Sequence, residues 1–316
     1  RRYLTIWIRI PAYPLFTSLS LTFKYKFFLP NNMNQLKLIS KLLRAEQWYK
    51  NSVVFIALLF SGNLFDKELF LITLLAFVAL CLVSSANYII NDLRDKDKDR
   101  LHKIKKFRPI AAKLISEKFA KFWIAGLLIF GFGLSYILNL YFCVMIVFLF
   151  LLMQTYTYWL KHYLYLDVFM ISVFFVLRAV LGAFAIMVWI SPWLIICPFF
   201  LAIFLAANKR YADLAMDSKK AVKTRSVLKK YSLSKAKRLV NIGAVMLIFS
   251  FTIYSLQKNL YFLLSVPVAA AALWRYMQLV FSNYKIGIQS ELALRDWKLL
   301  ILSVIWAAII GIVLYI

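Results

Sequence analysis

A chain of 316 residues that is 63% hydrophobic, only 16% charged and of mean hydropathy +0.76 is well above the roughly half-apolar content of soluble domains. Its apolar residues also fall in long blocks, which excludes one soluble core behind a charged surface and indicates a membrane protein. The formal charge of +26 would suit a nucleic-acid binder, but in a polytopic protein it reflects basic loops retained on the cytoplasmic side, so no nucleic-acid partner is expected. Cys81, Cys143 and Cys197 lie singly inside apolar blocks, without the paired spacing of a disulfide framework or metal cluster.

Residues 1–32 begin with Arg1, contain Pro11, Pro14 and Pro30, and lack the compact apolar core of a signal peptide; Met33 is the more natural start. They are read as an N-terminal extension, followed by a transmembrane domain over 33–316. A helix needs about 20 apolar residues to cross a 30 Å hydrocarbon layer. On that rule an all-α bundle of about nine spans is expected, near 52–65, 69–90, 119–138, 140–160, 164–188, 190–207, 239–256, 259–278 and 298–316. The first is short, with an amphipathic approach from Leu36 to Trp48 to complete it.

Charge sets the orientation. Segments 91–118 and 208–238 are dense in Lys and Arg, and the connections around Lys161–His162 and between Arg275 and Lys298 are also basic. The alternate connections carry little charge, as at Asp66, Lys67 and Glu68 or near Asn139. The alternation predicts the N-terminus inside, the C-terminus outside, and both basic segments in the cytoplasm.

The end of the second span reads Asn91-Asp92-Leu93-Arg94-Asp95-Lys96-Asp97-Lys98-Asp99. If the helix continues, 100° per residue puts Asn91, Asp92, Asp95 and Asp99 within an arc of ~100° and turns Asp97 away. Crowded carboxylates repel unless a cation joins them, and hard oxygen donors at a membrane surface suit Mg²⁺, which bridges to substrate phosphates. A second cluster on the same side follows the sixth span: Lys209, Arg210, Tyr211, Asp213 and Asp217, two potential metal ligands beside two phosphate-binding cations. Between the clusters, the run from His102 to Ile110 offers Arg108, held by Pro109, as a phosphate clamp. His102 and His162 are too isolated to indicate zinc. Arg178 lies inside the fifth span, where a buried cation marks function or pairing. Asp167 shares its helical face but is about 16 Å away along the helix, too far to pair with it. A secondary transporter would hold its ionisable groups near the midplane; here most gather at one face.

These residues resemble the UbiA superfamily of intramembrane prenyltransferases, whose motif N-D-x-x-D-x-x-x-D matches Asn91, Asp92, Asp95 and Asp99, and whose D-x-x-x-D matches Asp213 and Asp217. The likeness covers about residues 36–316. It is greatest to the branch that moves phosphoribose from 5-phosphoribosyl 1-diphosphate to a polyprenyl phosphate. The points of likeness are Gln47-Trp48-Tyr49-Lys50-Asn51, His102 with Lys105 and Phe107-Arg108-Pro109-Ile110-Ala111-Ala112, Lys161-His162, Leu177-Arg178-Ala179, Lys209-Arg210-Tyr211-Ala212-Asp213-Leu214 and Ala293-Leu294-Arg295-Asp296. Three positions depart from that pattern: Lys103 where Pro is expected, Lys113 where Gly is expected, and Asp213 where that branch often has Glu.

The resemblance implies a helical bundle in a prokaryotic cell membrane, with a cavity open to the cytoplasm and to lipid. Mg²⁺ held by Asp92, Asp95 and Asp99, with Asp213 and Asp217, would assist diphosphate departure. Lys50, Arg108, Lys209 and Arg210 would hold phosphates, with Asn91 and Tyr211 as further substrate contacts. An ordinary prenyl transfer from prenyl diphosphate to an aromatic or other acceptor remains the alternative.

Overall fold

The computed structural model describes residues 35–101, 105–160, 163, 165–224 and 232–315, without the side chains of 217–224 and 291. The extension over 1–32 lies outside these. Every regular element among the described residues is helical.

Helix α1 (Gln35–Leu43) is amphipathic and buries Leu38 and Leu42. It ends at Arg44, whose φ of 51° lies in the left-handed region. A 3-10 helix over Ala45–Val54 then runs directly into α2 (Phe55–Phe60). Next come α3 (Lys67–Arg94), α4 (Lys96–Arg100), α5 (Glu117–Leu138), α6 (Leu140–Tyr158) and α7 (Leu166–Ala185). The chain continues through α8 (Pro192–Thr224), α9 (Leu233–Lys258), α10 (Ser265–Ser282), α11 (Tyr284–Ile288) and α12 (Trp297–Tyr315). Helix starts are capped where the sequence changes character: Asp66 accepts from the amides of Glu68 and Leu69, Ser116 from Phe119, Asn139 from Phe142 and Ser232 from Lys235.

Eight helical segments among the described residues are long and apolar enough to cross a membrane, counting Leu260–Ser282 as one. The ninth expected span, near 52–65, is built differently. The 3-10 helix and α2 form one rod over Ala45–Phe60, about 29 Å long at 2.0 and 1.5 Å per residue. It runs antiparallel along α3: Ser85 donates to the Leu43 carbonyl, Trp48 Nε1 to Ser85 Oγ, and Asn51 Nδ2 to Cys81 Sγ. Only residues 52–54 of the expected span lie in the 3-10 helix; the polar Glu46, Gln47, Lys50 and Asn51 before them are what keep the apolar run short, and the rod is not among the eight membrane-crossing segments.

Water supplies no drive for helices to associate within lipid, so close packing does. Val54, Leu58, Ala76, Ala79, Leu80 and Val83 pack with Phe142, Ile146, Leu149 and Leu181 between the rod, α3, α6 and α7. At Gly182 a Cβ would stand 2.0 Å from the Val54 carbonyl oxygen, so only glycine admits the rod against α7. A second cluster joins α8, α9, α10 and α11 around Phe204, Ala207, Val240 and Val280. The rod is tied to the C-terminal part of the chain at two places: Tyr315, at the end of α12, donates to the Leu59 carbonyl at 2.7 Å, and Tyr49 shares a hydroxyl contact of 3.3 Å with Ser290, in the segment between α11 and α12.

Candidate active site

A cavity of about 970 Å³ opens between the rod, α3, the basic loop, α6, α7, α8 and the segment after α11. From α3 its wall takes Ser84, Asn87, Tyr88 and Asn91, with Asp95 just after the helix, spaced as one helical face. Arg44, Gln47 and Lys50 come from the rod, Lys105 and Arg108 from the loop, Arg178 from α7, and Lys209 and Arg210 from α8.

The first motif stays on one helical path. Asp95 separates α3 from α4, yet its amide bonds the Asn91 carbonyl at 3.0 Å and the Asp99 amide bonds the Asp95 carbonyl at 2.8 Å. Asp92 and Asp99 are buried at 4% and 3% exposure, Asp95 lines the cavity, and Asp97 faces out to pair with Arg100 at 2.7 Å. One nitrogen, Arg108 Nη1, donates to Asp92 at 3.0 Å and to Asp99 at 2.6 Å. Lys105 lies 3.9 Å from Asp99, and Arg44 also bonds Asp92. Cations therefore do join these carboxylates, and here they are arginine and lysine.

Among the described residues no group of three or more His, Cys, Asp or Glu is gathered closely enough to hold a metal. The donors still fit Mg²⁺, an ion commonly bound by one or two carboxylates plus substrate phosphates and water. Asp92 and Asp99 already share the guanidinium of Arg108, a cavity-wall residue, and Asp95 lines the same cavity.

The second motif divides. Lys209 and Arg210 reach the cavity wall, whereas Asp213 is not part of it and lies 3.8 Å from Arg210 Nη1. Arg210, 1% exposed, donates from Nε to Asp167 at 2.8 Å; no hydrogen-bond partner meets its Nη1 or Nη2 among the described residues. Tyr211 packs instead against Phe281 and Tyr284, at ring distances of 5.0 and 6.2 Å. The Asp217 side chain, His102, Lys103, Lys161 and His162 lie outside the described residues. Lys50 lines the cavity and bonds Gln47. Arg178 donates to Asn51 Oδ1 at 2.9 Å and to the Phe174 carbonyl at 2.8 Å. Lys113, standing where glycine was expected, has φ 57°, the left-handed conformation that favours glycine.

Arg44 is the participant that sequence reasoning passed over. It sits at a strained left-handed position, bonds Asp92, and its guanidinium lies 5.0 Å from the Tyr88 ring centroid. The only local signal was a charged residue ending an amphipathic stretch.

A multi-pass helical bundle with one acidic motif beside a basic cavity is the setting for transfer chemistry at a membrane, and a match to the UbiA prenyltransferase family over residues 52–295 establishes that the chain belongs to that family of transferases. It is 30% identical over 292 residues to the decaprenyl-phosphate phosphoribosyltransferase of Mycolicibacterium smegmatis, covering 87% of this chain and 92% of that one. It is likewise 30% identical to the enzyme of the same name from Corynebacterium glutamicum, over 87% and 86% of the two chains. Among solved structures, a UbiA homolog from Archaeoglobus fulgidus bound to GPP and Mg²⁺ superposes with a TM-score of 0.64 at 18% identity, covering 88% of this chain and 99% of that one, which shows a shared fold.

Proposed function

We propose that the protein transfers 5-phosphoribose from phosphoribosyl diphosphate to a polyprenyl phosphate and releases diphosphate, with Mg²⁺ as cofactor, at the cytoplasmic face of a prokaryotic membrane. The observation that carries this reading is the charge of the cavity wall. Its described residues include Arg44, Lys50, Lys98, Lys105, Arg108, Arg178, Lys209 and Arg210, against Glu46 and Asp95. Such a surplus suits a pair of substrates that together bring a diphosphate, a sugar phosphate and a lipid phosphate. The names of the two bacterial relatives point the same way.

Asp92, Asp95 and Asp99, together with Asp213 and Asp217 of the second motif, are the residues that would hold Mg²⁺, and the ion would supply positive charge to the departing diphosphate. Arg108 and Arg44, which hold Asp92 in this arrangement, are placed to pass to the diphosphate oxygens as its charge grows. Lys50, Lys209 and Arg210 hold the remaining phosphates. The ribosyl C1–O bond to diphosphate breaks, and a lipid phosphate oxygen bonds to C1. That oxygen is already anionic at neutral pH, so no side chain needs to remove a proton.

Prenyl transfer is the second reading, favoured by Ile171, Phe174 and Phe175 on the α7 wall and by the fold neighbour bound to GPP. The deciding assay offers detergent-purified protein with Mg²⁺ labelled phosphoribosyl diphosphate and polyprenyl phosphate, or geranyl diphosphate and an aromatic acid. Labelled phosphoribosyl lipid supports the first reading; consumption of geranyl diphosphate alone replaces it with the second.

A further inference from the structure

The cavity wall at the C-terminal end of α3 is polar, with Ser84, Asn87, Tyr88 and Asn91 on the helix and Asp95 just past it, although the helix is otherwise apolar enough to span a membrane. Asp95 belongs to the metal motif, and Asn91 stands beside it. Asn87 belongs to no motif, and what it does is unassigned.

Its environment is specific. Gln154 Nε2 on α6 donates to Asn87 Oδ1 at 2.8 Å, and Gln154 is not on the cavity wall. One end of the Asn87 amide is thus fixed from behind. Its Nδ2 has no partner among the described residues, and the residue itself lines the cavity. Asn87 is partly buried at the cavity wall, so its amide donor is open to a ligand or water there. An isoprenyl chain has nothing to answer it with, whereas a pentose has hydroxyls.

The location agrees with the chemistry. Along α3, Asn87 is about 7.5 Å from Asp92 and about 12 Å from Asp95. A diphosphate held at the level of Arg108, Asp92 and Asp95 leaves one pentose-sized step to Asn87. We propose that Asn87, oriented by Gln154, donates a hydrogen bond to a ribose hydroxyl of the donor and so selects a sugar diphosphate over a prenyl diphosphate. This rests on the phosphoribosyl-transfer reading above. Asn87 is the residue that touches substrate, and Gln154 is a positioning residue.

The test compares kcat/KM for phosphoribosyl diphosphate with that for its 2-deoxy and 3-deoxy analogues. The ratio is taken within each protein preparation, so a partly unfolded variant still reports it. Wild-type protein should reject at least one analogue by about tenfold or more, since a site built around a hydroxyl discriminates against its loss. Asn87→Ala should reduce that ratio to under about threefold, and Gln154→Leu should narrow it in the same direction with KM for polyprenyl phosphate unchanged. Wild-type transfer without discrimination against either analogue, or a ratio undiminished in Asn87→Ala, overturns the assignment while leaving phosphoribosyl transfer intact. Absence of any phosphoribosyl transfer by wild-type protein, with prenyl diphosphate consumed, overturns both readings and is told apart by that consumption.

Discussion

Arg210 on α8 donates from Nε to Asp167 on α7 at 2.8 Å, and each side chain of the pair is 1% exposed. Removing the Asp167 charge leaves the buried Arg210 guanidinium to Asp213, a longer contact at 3.8 Å from Nη1. Asp167→Asn is therefore expected to cost about 3–5 kcal/mol of stability. The double variant Asp167→Asn, Arg210→Met should regain most of it without regaining turnover. Thermal unfolding in detergent measures both, and an Asp167→Asn protein that unfolds at the wild-type temperature would refute the argument.

The first motif predicts a sharp contrast between neighbours. Asp92→Asn and Asp95→Asn should abolish nearly all turnover while preserving expression and membrane insertion, because charge is lost but volume is kept. Asp97→Asn should change little, since that side chain is 72% exposed and pairs with Arg100. Retention of more than about a tenth of activity in Asp92→Asn, a barrier change below ~1.4 kcal/mol, contradicts the metal-ligand role.

Two glycines offer a matched test of the rod's seat. Gly182→Ala would drive a Cβ into the Val54 backbone, whereas the same change at Gly126 meets nothing within 4 Å. The first should cost about 1–3 kcal/mol or more and the second almost nothing, read as the difference in unfolding temperature. Equal behaviour of the two would mean the rod does not press against α7.

Membrane orientation is checked by cysteine labelling. Cysteines replacing the exposed Lys106 and Lys235 should react with impermeant reagent only from the cytoplasmic side, and one replacing Lys67 only from outside. Labelling of the 106 and 235 positions from opposite faces would part the two motifs and end the shared site.

Donor binding makes the fifth prediction. A charge-assisted contact to phosphate is worth about 1.5–3 kcal/mol. Arg108→Ala or Lys209→Ala should raise KM for phosphoribosyl diphosphate about tenfold or more, with a smaller change for polyprenyl phosphate. Steady-state titration of each substrate separates these effects, and equal shifts for both would assign the cations to the lipid phosphate as well.

The all-helical class, the longer spans and the two acidic motifs could be read from the amino-acid sequence, because hydropathy, loop charge and helical periodicity are properties of neighbouring residues. Asp97 turned outward for the same reason: its direction follows from 100° per residue. What the sequence did not disclose were the partners met across helices. Helical rise alone keeps Asp167 from Arg178, but its partner, Arg210, lies 43 residues later and is reached only when α7 and α8 pack together. Arg44 meets Asp92 across 48 residues, and Asn51 meets Arg178 across 127. The 3-10 winding of Ala45–Val54 was hidden as well, as was the packing of Tyr211 against Phe281. Each depends on which helices become neighbours and how closely they approach. That choice is made by shape at the interfaces, as where Gly182 leaves room for the Val54 carbonyl, and no local pattern encodes it.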